Sequence, residues 1–217
     1  MERKKYELTS ETKIVFGRTL HRIRALISFG NVKAGDIGGF IESDKNLSQD
    51  GNAWVFGNAQ VYGNAQVYDN AWVCGDARVY GDARVYGNAR VYDNARVYDN
   101  ARVYGDAQVY GDAQVYGDAQ VCGDAWVYGN ARVWGDARVT TKSSVFWISC
   151  IGSRNGTTTF FKSKNKEIKV TCGCFYGTLD EFSQKVNQTH GDSFYGKCYQ
   201  ATIELAKIRL GESDDAK

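Results

Sequence analysis

From Gly51 to Thr140 the chain is a single six-residue unit, [GD]-[ND]-A-x-V-[YFCWT], written fifteen times without a gap. Every third residue is Ala and every fifth is Val, from Ala53 and Val55 to Ala137 and Val139. Side chains two apart on an extended chain point the same way, so Ala and Val face one side while x faces the other, and each hexad is a short strand. The Gly-Asn, Gly-Asp or Asp-Asn pair supplies a corner, because these residues tolerate positive φ. Asp stands in for Gly at 69, 93 and 99, and Asn follows it each time, so every corner keeps a permissive residue. One such strand buries nothing alone. Stacked coils share a continuous interior, and an interior of Val and Ala is a narrow tube.

With corner residues between Val and Ala, the order V-x-x-x-A-x resembles the left-handed parallel β-helix of hexapeptide-repeat proteins, in which three hexads make one triangular coil. The resemblance implies a mainly β fold with about five coils of eighteen residues. It departs from that pattern after the aliphatic residue, where this chain is mostly aromatic. Eighteen-residue coils sort the x residues onto three faces. The first carries Trp54, Trp72, Arg90, Gln108 and Trp126, the second Gln60, Arg78, Arg96, Gln114 and Arg132, and the third Gln66, Arg84, Arg102, Gln120 and Arg138. All three Trp of the x positions fall on the first face, which is therefore expected to be covered by a partner or by the terminal segments. Trp and Arg are common interface anchors, so Trp54, Trp72, Arg90 and Trp126 are the candidate binding residues, with Tyr92 and Tyr110 beside them. The Tyr column next to the corners is expected to stack as ladders such as Tyr62, Tyr80, Tyr98 and Tyr116.

Charge argues against nucleic acid. The whole chain has a formal net charge of +2, and residues 51 to 140 hold seven Arg against ten Asp, 7 − 10 = −3, where phosphate binding needs the opposite sign. The N-terminal "MERKKYELTSETK" lacks an apolar leader, and no run approaches the roughly 20 apolar residues of a membrane span. A cytoplasmic protein is the expectation, with its six cysteines as reduced thiols.

The flanks read as caps for the unpaired ends of a solenoid. Residues 1–50 form an N-terminal β cap and entry coil. "KIVFGRTLHRIRALISF" is a hairpin turning at Gly17-Arg18, with His21, Ile23, Ala25 and Ile27 on one side. Ile41 and Leu47 stand twelve and six residues before Ala53, which starts the solenoid imperfectly near residue 37. Residues 51–140 are the β-helix, and 141–217 a small α+β domain ending in two helices. In the last, "VFWISCIG", "TTTFFKS" and "EIKVTCGC" read as strands. Thr178 and Glu181 make a capping box, followed by a helix with Leu179, Phe182 and Val186 on one side and a stop at Gly191. A second helix, about Lys197 to Leu210, has Tyr199, Ile203, Ala206 and Leu210 on one side and Ala201, Leu205 and Ile208 beside it, an apolar face broad enough to dock on the sheet or the last coil.

With both flanks in view, "IRALISFGNVKAGDIGGFIE", "NLSQDGNAWV", "IGSRNGTTTFF" and "GCFYGTLDEF" make the chain similar to the YdcK-type hexapeptide-repeat proteins of bacteria and prophages. Those proteins are assigned as transferases by fold analogy, and fold does not fix function. Acyltransferases with this helix use a His base near a coil and a loop that encloses substrate, whereas this solenoid holds neither His nor loop. His21 and His190 lie in the flanks and read as structural, as does Cys172-Gly-Cys174, which lacks zinc spacing. The sequence therefore points to no catalytic residue, metal, cofactor or small-molecule substrate. It points to a rigid non-catalytic protein that binds a protein partner or a second copy of itself. The prophage resemblance implies an inhibitor of a bacterial or competing-phage protein. The alternative is an acyltransferase-like enzyme with an intersubunit site using His190 or His21.

Overall fold

The computed structural model describes residues 4–211. Each hexad places its x–Val pair in a two-residue strand, giving β4 to β18 from Trp54–Val55 to Arg138–Val139. Strands eighteen residues apart pair in parallel and in register: Arg96 lies beside Arg78 and Gln114, and Val97 beside Val79 and Val115. The three faces predicted from the period are three stacks of parallel repeat strands, one of them continued by strands of the N-terminal cap. Within a sheet the hydrogen bonds step from coil to coil, Arg96 N to Ala113 O at 2.9 Å and Tyr98 N to Val115 O at 3.0 Å. Every Val and Ala of the fifteen repeats is buried in one continuous core.

The corners work as the sequence implies. Asp69, Asp93 and Asp99 sit at φ of 57° to 59°, a region that costs an ordinary L residue about 1–2 kcal/mol. Each recovers part of that cost, because its Oδ2 accepts the N–H of the glycine one coil below, as from Gly111 N to Asp93 at 3.1 Å. Outside the corners the aromatic rings stack at 4.7–5.1 Å along Tyr62, Tyr80, Tyr98 and Tyr116, close to the spacing of strands in a sheet.

A solenoid must answer the carbonyls of its first coil and the N–H groups of its last, and the flanks do so residue by residue. At the start, Ala53 O receives Lys5 Nζ at 3.0 Å, Ala59 O receives Phe40 N at 2.9 Å, and Ala65 O receives Asn46 Nδ2 at 2.9 Å. At the far end Arg132 N donates to Thr159 Oγ1 at 3.0 Å. Three strands, β1 (Tyr6–Val15), β2 (Arg18–Ala25) and β3 (Ile37–Ile41), make the N-terminal cap, β1 pairing antiparallel with β2, β2 antiparallel with β3, and β3 parallel with Gln60–Val61.

The N-terminal flank departs from the sequence pattern at two places. The hairpin turns at Phe16-Gly17, both at positive φ, with Val15 opposite Arg18. Ile41 and Leu47 do not continue the Ala column: they pair with Val61 and Val67, so they occupy Val positions. Two extra residues before Val55 shift the register, and Gly39 takes the place of Ala, where a Cβ would come within 2.6 Å of Ala59 O.

After β18 the chain leaves the tube for a four-stranded antiparallel sheet, β19 (Val145–Ile151), β20 (Gly156–Lys162), β21 (Ile168–Cys172) and β22 (Phe175–Thr178), one strand more than the sequence suggests. Phe161 and Val145 join the solenoid core, while Phe160 and Val170 build a second core with the helices. Helix α1 (Leu179–His190) carries the expected capping box, Thr178 Oγ1 accepting from Glu181 N at 3.2 Å and Thr178 N donating to Glu181 Oε2 at 2.7 Å. Helix α2 (Phe194–Gly211) starts earlier than the apolar pattern indicates. It buries Tyr199, Ile203, Ala206 and Leu210, as expected, but Leu205 and Ile208 remain exposed, so the docked face is narrower than the sequence implies.

Candidate contact face

The face proposed from the period exists as one five-stranded sheet, Trp54, Trp72, Arg90, Gln108 and Trp126 lying in adjacent strands. Its members are not equivalent. Trp54 is only 1% exposed, with Tyr6 and Phe29 edge-on at 6.1 and 5.4 Å, so it anchors the N-terminal cap and presents no surface to a partner. That corrects its assignment as a contact residue: the terminal segment covers this end of the face, and the remainder stays open.

Trp72 is half-buried, with Phe56 edge-on at 5.5 Å and the Arg90 guanidinium 5.1 Å from its ring centroid. Three coils further along, Lys142 Nζ lies 3.7 Å from the ring centroid of Trp126. Both pairs have cation–π geometry. Between them Gln108 is held by the Tyr92 hydroxyl, which donates to its Oε1 at 3.1 Å. Tyr92 and Tyr110 stack at 4.8 Å, Tyr110 and Tyr128 at 4.9 Å, and Trp147 closes the column edge-on to Tyr128 at 4.3 Å. Burial pushes the Tyr92 phenol above its ordinary pKa, with Tyr110 and Asp93 adding to the shift, so its hydroxyl keeps the proton that it donates to Gln108 at physiological pH.

Where the tube meets the C-terminal domain this face ends in an open cleft of about 500 Å³, lined by Trp126, Tyr128, Lys142, Val145, Phe146, Trp147 and Arg209. Arg209 comes from the last turn of α2, its guanidinium 5.8 Å from the Phe146 ring centroid. A second open cleft, of about 400 Å³, lies beside Trp72 and Arg90. Its wall is an amide ladder in which Asn52 donates to Asn70 at 2.9 Å, Asn70 to Asn88 at 3.2 Å and Asn88 to Asp106 at 3.1 Å.

Sequence reasoning missed Lys142, Phe146, Trp147 and Arg209. One signal was present: Trp147 falls nineteen residues after Tyr128, one beyond the coil period, so it continues the aromatic column after the repeat has decayed. Nothing in the helical pattern of α2 announces where Arg209 comes to rest.

The residues of the catalytic alternative stand apart from this face. His21 lies in β2 opposite Ile41 in the N-terminal cap, and His190 ends α1, stacked 5.5 Å from Tyr199. Cys172 Sγ accepts from Thr158 Oγ1 at 3.2 Å and packs within the second core, while Cys174 is exposed in the following turn. Among the described residues no group of three or more His, Cys, Asp or Glu is placed to hold a metal ion, and no helix is long and apolar enough to cross a membrane.

In class, then, this is a parallel β-solenoid capped at both ends, one face of which pairs tryptophan rings with cations. Its coils are of a particular kind. The YdcK β-solenoid repeat matches nine overlapping segments that together run from residue 59 to residue 133, all within the central tube. No curated protein matches the chain.

Proposed function

We propose that this protein is a non-catalytic binding module whose open solenoid face, with the adjoining edge of the C-terminal domain, engages a protein partner. The observation that carries the reading is the repeated pairing of a cation with a half-buried Trp on one face, Arg90 with Trp72 and Lys142 with Trp126. Trp, Tyr and Arg supply large contact area at modest conformational cost, and hot spots are enriched in Trp, Tyr and Arg. Fixing them on a sheet whose backbone is bonded on both sides removes most of the ordering cost of association. The family resemblance suggests a partner of bacterial origin that is inhibited when bound, and a bacterial lysate is therefore the source for capture.

The test compares the wild-type chain with a Trp72→Ala, Arg90→Ala double variant as immobilised bait, with matching far-UV circular dichroism as the control for folding. The reading expects a partner held by the wild type and lost by the variant. A captured partner that the double variant holds equally well refutes it. Sedimentation equilibrium separates a foreign partner from a second copy of the chain: concentration-dependent dimerisation abolished by the same substitutions identifies the copy as the occupant.

A further inference from the structure

The cleft at the end of the face says what chemistry that partner presents. Among the described residues, Lys142, Arg209 and Arg90 make no ion pair; each rests against an aromatic ring. A cation on a ring keeps most of its hydration and its attraction for an anion, so these are sites for negative charge beside apolar walls. Two features decide which anion. Arg209 stands in the last turn of α2, where the helix carbonyls carry partial negative charge, and the adjoining repeats have a net charge of −3. Such surroundings oppose a phosphodiester chain or a polyphosphate, which would bring several charges at once. They accept single carboxylates spaced apart.

Building on the partner-binding reading above, we infer that the face takes an extended acidic segment of the partner. One carboxylate lies at Lys142 and Arg209, a second at Arg90, and an apolar or aromatic side chain sits between Trp126, Trp147 and Phe146. The spacing follows from the fold. Trp72 and Trp126 are three coils apart, about 14 Å at roughly 4.8 Å per coil, and an extended chain covers that distance in about four residues at roughly 3.3 Å each. The segment therefore runs along the tube with acidic residues at positions i and i+4. The cleft volume of about 500 Å³ suits one large side chain.

A random dodecapeptide phage-display library selected against the full chain tests this directly. Enriched peptides are expected to carry two Asp or Glu four residues apart with Phe, Tyr, Trp or Leu adjacent. Their synthetic forms are expected to bind at least tenfold more weakly to the Lys142→Glu, Arg209→Glu variant. Both positions are exposed, so the variant is expected to melt with the wild type. Neutral or basic enriched peptides, no enrichment, or acidic peptides indifferent to the charge reversal would each overturn the inference. Residues 212–217 include Glu212, Asp214 and Asp215. A tenfold gain in peptide affinity on ending the chain at Gly211 would assign the cleft to that segment and overturn a partner as its occupant. A lysate partner that depends on Trp72 and Arg90 but ignores the charge reversal sinks the acidic-segment assignment alone. A partner indifferent to all four residues sinks the binding face as well.

Discussion

Trp54→Ala separates a structural tryptophan from a contact tryptophan on the same face. The Trp54 indole is 1% exposed and meets Tyr6, Phe29 and Phe56 edge-on with centroids at 6.1, 5.4 and 6.5 Å. Gly38 lies so close that a Cβ there would come within 2.7 Å of the indole, which leaves little room for the site to collapse around a smaller residue. Truncating a Trp in such a site costs about 3–5 kcal/mol. Trp72 is half-buried, with Phe56 edge-on and the Arg90 guanidinium over its ring, and its loss removes about 1–2 kcal/mol. Because the cap is joined to the tube through Trp54, Lys5 and β3, the damage should appear first at the N-terminal end as a separate early transition. Urea unfolding followed by circular dichroism, with limited proteolysis mapping cleavage within residues 1–50, reads both effects. Trp54→Ala is expected to nick early in the cap and to lower the urea midpoint far more than Trp72→Ala. Equal midpoints would refute the placement of Trp54 beneath the cap.

Three further outcomes follow from the same geometry. Asp93→Ala keeps the positive φ and loses the bond from Gly111 N, which costs about 1–2 kcal/mol, while Asp93→Gly relaxes the backbone and costs less; thermal melts of equal loss would contradict the corner. Burial holds the Lys5 pKa down at about 8 from 10.5, against a smaller opposing effect of Asp50, so the unfolded chain holds that proton more tightly. Stability from this group should rise between pH 8 and 10.5, then fall as the phenols of Tyr62, Tyr80 and Tyr98, raised by burial, ionise first in the unfolded chain; urea midpoints across that range, with Lys5→Met abolishing the rise, check the sign. Thr178→Ala should destabilise α1 by about 1 kcal/mol and Thr178→Ser by nearly nothing, read as amide hydrogen exchange in its first turn.

Periodicity carried the tube because every repeat states the same local instruction. Ala and Val two apart set the inward face, the corner pair sets the bend, and an eighteen-residue coil places Trp72, Arg90 and Trp126 in neighbouring strands. What the period could not carry lies where it breaks. Two residues inserted before Val55 move Ile41 and Leu47 from the Ala column to the Val column, a shift visible only once β3 is paired with Val61. Trp54 is indistinguishable from Trp72 in sequence; a hairpin folded back from residues 6–25 makes one core and leaves the other at the surface. Lys142, Trp147 and Arg209 converge through the packing of the C-terminal sheet and helices against the last coil, and contacts of that range leave no local pattern.

Hydroxyl-radical footprinting of the chain with its partner bound bears most directly on the claim that one face of the tube does the binding. The account predicts protection of Trp72, Trp126, Trp147 and Tyr128, with Tyr80, Tyr98 and Trp134 on the neighbouring edge labelled as in the free protein. Protection confined to that second edge, or none at Trp72 and Trp126, would contradict it.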